Sequence, residues 1–120
     1  MALALGCIFA FFAVVTGAFG AHALKASLDE YSLGIWHTAV TYQMSHALAL
    51  VLLGLFEKQV GERFPLVLGL FSAGILLFSG SLYALALSGI KILGAITPLG
   101  GAAFLAGWLA FAWYGWKFSR

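Results

Sequence analysis

The sequence predicts an all-α fold, a single domain over residues 1–120 in which four transmembrane helices form a compact bundle, and three observations lead there. Of the 120 residues, 63% are hydrophobic and 8% charged, far from the roughly 45–50% apolar and about 25% charged of soluble domains. The charges leave four uncharged runs, 1–24, 31–56, 64–90 and 92–116, each longer than the roughly 20 residues that cross a bilayer as a helix. Within these runs glycine and alanine recur at helical phase. A soluble enzyme, a disordered chain and a second globular domain are excluded together.

The first span is expected over residues 2–24. Its Ala21-His22-Ala23 has the small-x-small form of a signal-peptidase site, but the run has no basic start and exceeds the about 7–15 apolar residues of a leader, so it reads as a retained helix. The second span is expected over 35–56 and the third over 65–88, where Pro65 suits a first turn whose N–H groups lack helical partners. In the fourth run Pro98 either kinks a helix begun near Ile92 or takes the first position of one beginning after Thr97. The second arrangement is favoured, with Thr97 as the capping residue and a span over 98–117. Residues 89–96 then form an apolar interfacial connection from which Lys91 reaches water. The remaining loops are 25–34, with Asp29 and Glu30, and 57–64.

Lys and Arg set the orientation of such a chain. Lys58, Arg63, Lys117 and Arg120 fall on the side shared by both termini, Lys25 and Lys91 on the other. Both termini are therefore expected in the cytoplasm, with the chain in a bacterial inner membrane. Trp113, Tyr114 and Trp116 at one face and Tyr31 and Trp36 at the other are the expected interfacial anchors. Six cations without a clustered face give no footprint for nucleic acid, so the expected partners are the lipid bilayer and a membrane protein or a second copy of the chain.

Gly6, Ala10, Ala13, Gly17 and Ala21 share one sector of the first span, and Gly100, Ala103, Gly107 and Ala110 one sector of the fourth. Small residues let backbones approach closely where lipid removes the apolar drive for helix association. The third span offers Gly69, Ala73, Gly80 and Ala84. A displacement of 63 residues lays Gly6, Ala10, Gly17 and Ala21 onto these four, as a two-helix repeat would, although generic close packing is the favoured explanation. Gly6, Gly17, Gly69, Gly80, Gly100 and Gly107 are thus the expected packing positions.

Polar chemistry concentrates in the second span, with Tyr42, Gln43 and His46 near the bilayer midplane and Ser79 and Ser81 facing them from the third. Ionisable groups at that depth usually face a bundle interior or a water-filled cavity. Two readings stand: a proton relay or polar pocket for a small or quinone-like headgroup centred on His46, or a neutral imidazole hydrogen-bonded to Gln43, Tyr42, Ser79 or Ser81 as interhelical glue. His37 and His46, nine residues apart, lie on opposite faces of one helix. His22 and His37 could meet Asp29 or Glu30 only at the outer surface, so no metal is expected. Ser79-Gly80-Ser81 lacks the strand-to-helix setting of a nucleophile elbow, Gly100-Gly101 is too short for a phosphate loop, and Cys7 is alone. No catalytic residue and no cofactor are expected.

The strings GAFGAHALK (17–25), YQMSHALAL (42–50), LFSGSLYALALSG (77–89) and ITPLGGAAFLAGW (96–108) resemble the YgdD/YwdK family of small bacterial membrane proteins. The resemblance covers nearly the whole chain. It implies a four-helix inner-membrane protein of a domain of unknown function, with a related eukaryotic transmembrane protein and no catalytic residues to carry over. Its motif positions include His22, Tyr42, Gln43, His46, Ser79, Tyr83, Thr97 and Pro98. The expected function is a non-enzymatic component that binds lipid or protein. The alternatives are a small proton or ion pathway along the second span and an accessory subunit of a membrane enzyme.

Overall fold

The structure is a computed structural model that describes residues 1–119. Its helices are α1 (Ala2–His22), α2 (Glu30–Val60), α3 (Pro65–Gly74), a π-helical turn (Ile75–Ser79), α4 (Gly80–Ser88), a 3-10 turn (Lys91–Ala95) and α5 (Thr97–Phe118). α3, the π turn and α4 run on without a break, so among the described residues four helices are long and apolar enough to cross a membrane.

α2 overruns the expected 35–56 at both ends, because its caps rather than its hydropathy set its limits. Asp29 Oδ1 accepts the Ser32 N–H at 2.8 Å, filling an orphan donor of the first turn, and that bond holds the Asp29 carboxyl below the usual carboxylate range. At the other end Gly61 adopts φ 77° and returns its N–H to the Glu57 carbonyl, a left-handed stop that glycine makes without steric penalty. At ~1.5 Å per residue the 31-residue helix is about 46 Å long, so it projects beyond the roughly 30 Å hydrocarbon layer. Thr97 is also corrected. It lies inside α5, the flanking position is Ile96, and no side chain caps this end. The Thr97 hydroxyl is drawn instead to Ser81, 2.6 Å away.

α1 packs along α2, and the α3–α4 rod lies against both α2 and α5. Ala49, Leu50 and Leu53 of α2 meet Val67, Phe71 and Ile75 of the rod and Phe104 of α5 in the main core. Phe64 packs against Phe56, Tyr114 and Phe118 and shares that core with Ala2. The start of α1, the 61–64 turn and the end of α5 therefore gather at one end of the molecule.

Close approach depends on only part of the expected glycine set. A Cβ on Gly6 would lie 2.7 Å from the Ala47 carbonyl oxygen and 2.8 Å from the Val51 nitrogen. One on Gly100 would overlap the Phe78 nitrogen and stand 2.7 Å from its Cα, and one on Gly107 would meet the Phe71 ring at 2.7 Å. At Gly17 the neighbour is a Val40 methyl at 3.3 Å, which can give way. Gly69 and Gly80 have nothing within 4 Å: their face of the rod points outward, and the 63-residue match does not extend to packing. The rod's tight seat is Gly74 against the Phe104 ring. On α1 the buried positions are Ala2, Gly6, Ala13 and Gly20, and Ala21 is exposed. From Gly6 onward the seam repeats every seven residues, the spacing that keeps two helices in contact as they wind round each other.

Candidate functional site

Gln43 is the centre of a hydrogen-bond chain that ties α2 to α1 and α4. Its Nε2 donates to the Phe9 carbonyl of α1 at 2.8 Å, which fixes the amide orientation because a carbonyl only accepts. Its Oε1 accepts from the Tyr83 hydroxyl of α4 at 2.7 Å. The Tyr83 and Thr16 hydroxyls are 2.9 Å apart; the Tyr83 proton goes to Gln43, and the one Thr16 proton is shared between Tyr83 and the Phe12 carbonyl, also 2.9 Å away. Trp36 completes the seam, donating Nε1–H to the Thr16 carbonyl at 2.8 Å with its ring 4.6 Å from that of Tyr83. It is only 4% exposed and is a core residue rather than the interfacial anchor expected, because Gly20 leaves room for the indole: a Cβ there would stand 2.5 Å from Trp36 Cδ1.

His46 belongs to a separate seam, between α2 and α5. Its Nδ1 is 2.8 Å from the Tyr42 carbonyl, and its Nε2 accepts the indole N–H of Trp108 at 3.0 Å. The carbonyl can only accept and the indole can only donate, so the ring is the neutral tautomer with its proton on Nδ1. Phe104 stacks on it with centroids 3.6 Å apart and planes at 12°, and Phe71 meets its edge at 5.5 Å. A ring protonated on both nitrogens would lose the Trp108 bond.

The five residues expected as one cluster are therefore divided. Gln43 and His46 stand about 60° apart on α2; one leans toward α1 and α4, the other toward α5. Ser79 donates to the Ala39 carbonyl at 2.7 Å, its direction set by the π turn, and Ser81 pairs with Thr97. Neither serine reaches His46. Tyr42 gives the His46 seam its carbonyl and its ring, 6.2 Å from Phe104, but not its hydroxyl. Thr16, Tyr83 and Trp108 were not singled out as site residues. The signal that marks them is a polar atom at bilayer depth, which must find a partner inside the protein.

Chemically, this arrangement joins helices. A cleft of about 480 Å³ opens at the charged end, lined by Met1, Gly54, Glu57, Lys58, Glu62 and Arg63 among others, and it stands clear of Gln43 and His46. Among the described residues no group of three or more His, Cys, Asp or Glu is placed to hold a metal ion.

The model of a family described as "Protein of unknown function (DUF423)" matches residues 16–101. The UPF0382 membrane protein YwdK of Bacillus subtilis is 50% identical over 107 residues, covering 88% of this chain and 87% of its own length. A UPF0382 membrane protein of Staphylococcus aureus is 44% identical over 115 residues, covering 96% and 94%, and one of Staphylococcus epidermidis is 49% identical over 105 residues, covering 88% and 86%. No solved structure matches the chain.

Proposed function

The chain belongs to the DUF423 family, with the UPF0382 membrane proteins as its relatives, and on that premise we propose that it is a non-enzymatic component of the bacterial inner membrane that acts by binding lipid or protein partners. The observation that supports this reading is the state of His46: its Nδ1 proton points at a backbone carbonyl and its Nε2 lone pair is taken by an indole N–H, and neither partner takes up or gives up a proton near neutral pH. A relay needs a group that can take up a proton on one side and release it on the other.

Reconstituted in liposomes with a trapped pH dye, the wild type and His46→Gln should admit protons no faster than protein-free vesicles. Wild-type flux that His46→Gln removes without loss of stability would establish the proton pathway in place of this reading.

The same proposal places both termini in the cytoplasm, on the weight of Lys58, Arg63, Lys117 and Arg120 against Lys25 and Lys91; Arg120 lies outside the described residues. A phosphatase fused after Arg120 should be silent and a fluorescent protein bright. The reverse pattern would overturn the orientation.

A further inference from the structure

α2 carries polar side chains on two sides. Gln43 and His46 are buried, but Thr38, Thr41, Tyr42 and Ser45 are all exposed, and their spacing puts them within a sector of about 100° on the outer face. They stand roughly 12–23 Å from the start of a helix about 46 Å long. Centred on a roughly 30 Å hydrocarbon layer, that helix puts Thr38 about 4 Å inside the layer's edge and Thr41, Tyr42 and Ser45 between there and the midplane, where no water can complete a hydrogen bond.

Two of the four hydroxyls are satisfied by their own helix. Thr38 donates to the Gly34 carbonyl at 3.0 Å and Ser45 to that of Thr41 at 2.8 Å, and both keep lone pairs facing outward. The Thr41 and Tyr42 hydroxyls bond to no described residue, although their carbonyls accept from Ser45 and His46. Tyr42 is 42% exposed. Contacts at 4.5 Å with Phe78 and 6.2 Å with Phe104 hold its ring, and the phenol is too long to turn back onto its own turn of helix. The face thus offers two unpaired donors and a row of acceptors to a medium that has neither.

We propose that this face docks a second copy of the chain, α2 against α2. The inference rests on the preceding reading, of a component that binds partners, and names the partner. Copies inserted the same way are related by an axis along the bilayer normal, so each residue meets the partner's residues at its own depth. A hydroxyl both donates and accepts, so a row of hydroxyls that each meet their own counterpart at the same depth is complementary to its own duplicate, as a two-fold interface requires. Acyl chains over the same face would leave Thr41 and Tyr42 unpaired, which is unfavourable in an apolar medium.

The test uses the full chain as Cys7→Ser/Ser119→Cys, labelled in separate batches with donor and acceptor dyes and mixed in phosphatidylcholine liposomes at falling protein-to-lipid ratios. Energy transfer should persist on dilution. With Thr41→Val/Tyr42→Phe added, which removes two hydroxyls and keeps both shapes, the ratio at half-maximal transfer should rise about tenfold or more, given the modest strength of each interhelical hydrogen bond. Helix content and melting should not change. Wild-type transfer no higher than chance would mean that lipid or a different protein covers the face, and would overturn the proposal. A variant that dilutes like the wild type would also overturn it. Proton flux in the same vesicles separates the two inferences: flux dependent on His46 would defeat the preceding reading, and a flux-free monomer would defeat the dimer alone.

Discussion

Gly100→Leu should lower the stability of the detergent-solubilised protein by about 3 kcal/mol, at the upper end of what overpacking a filled interior costs, while Gly80→Leu should leave it nearly unchanged. At Gly100 the added carbon meets the backbone of Phe78 at the π turn, and backbone cannot move aside as a side-chain tip can. The start of α5 would have to lift from the rod, disturbing Thr97 against Ser81 and then Phe104 against His46. Gly6→Leu should follow closely, since it meets backbone atoms of Ala47 and Val51. Gly17→Leu should fall between, because only a Val40 methyl is in the way. Thermal unfolding followed by tryptophan fluorescence ranks the four variants. Equal losses at Gly80 and Gly100 would mean that the outer face of the rod is packed after all.

That ranking marks where the sequence could be read and where it could not. The four spans were legible because hydrocarbon thickness imposes a length and a composition that can be counted directly. Gly6, Gly100 and Gly107 were legible for a similar reason, since a small stripe has a phase. The phase says nothing about direction, so Gly69 and Gly80 looked the same as the packed set although they face outward. The π turn between them also shifts the register of everything after it, and no residue type in 75–79 announces one. Asp29 and Gly61 carried their capping signals openly, and the hydropathy of the runs outweighed them. Tyr83 was missed as a site residue because its partner Gln43 is 40 positions away, and Trp36 because an aromatic at a span end resembles an anchor until Gly20 is known to face it. A long-range pair of that kind depends on which helices are neighbours, which periodicity does not encode.

His46→Leu should be the most damaging single change in the polar seams, and a second substitution should reverse much of it. Leucine fills comparable volume and can still lie on Phe104, so lost packing is the smaller part. The larger part is the Trp108 indole N–H, which loses its acceptor in a setting without water; an unsatisfied donor of this kind costs about 1–3 kcal/mol. The Tyr42 carbonyl keeps its place in the α2 backbone ladder and is not orphaned. His46→Gln should be milder, because its amide oxygen can accept from Trp108, although it gives up the stacked ring. Removing both polar partners at once is nearly neutral when shapes are kept, so His46→Leu/Trp108→Phe should be more stable than His46→Leu alone. The coupling between two contacting residues is what a double-mutant cycle isolates. Midpoints of thermal unfolding for the wild type, the two singles and the double complete the cycle. If the two changes simply add, Trp108 does not hold His46, and the imidazole would be free for the chemistry that its hydrogen bonds otherwise preclude.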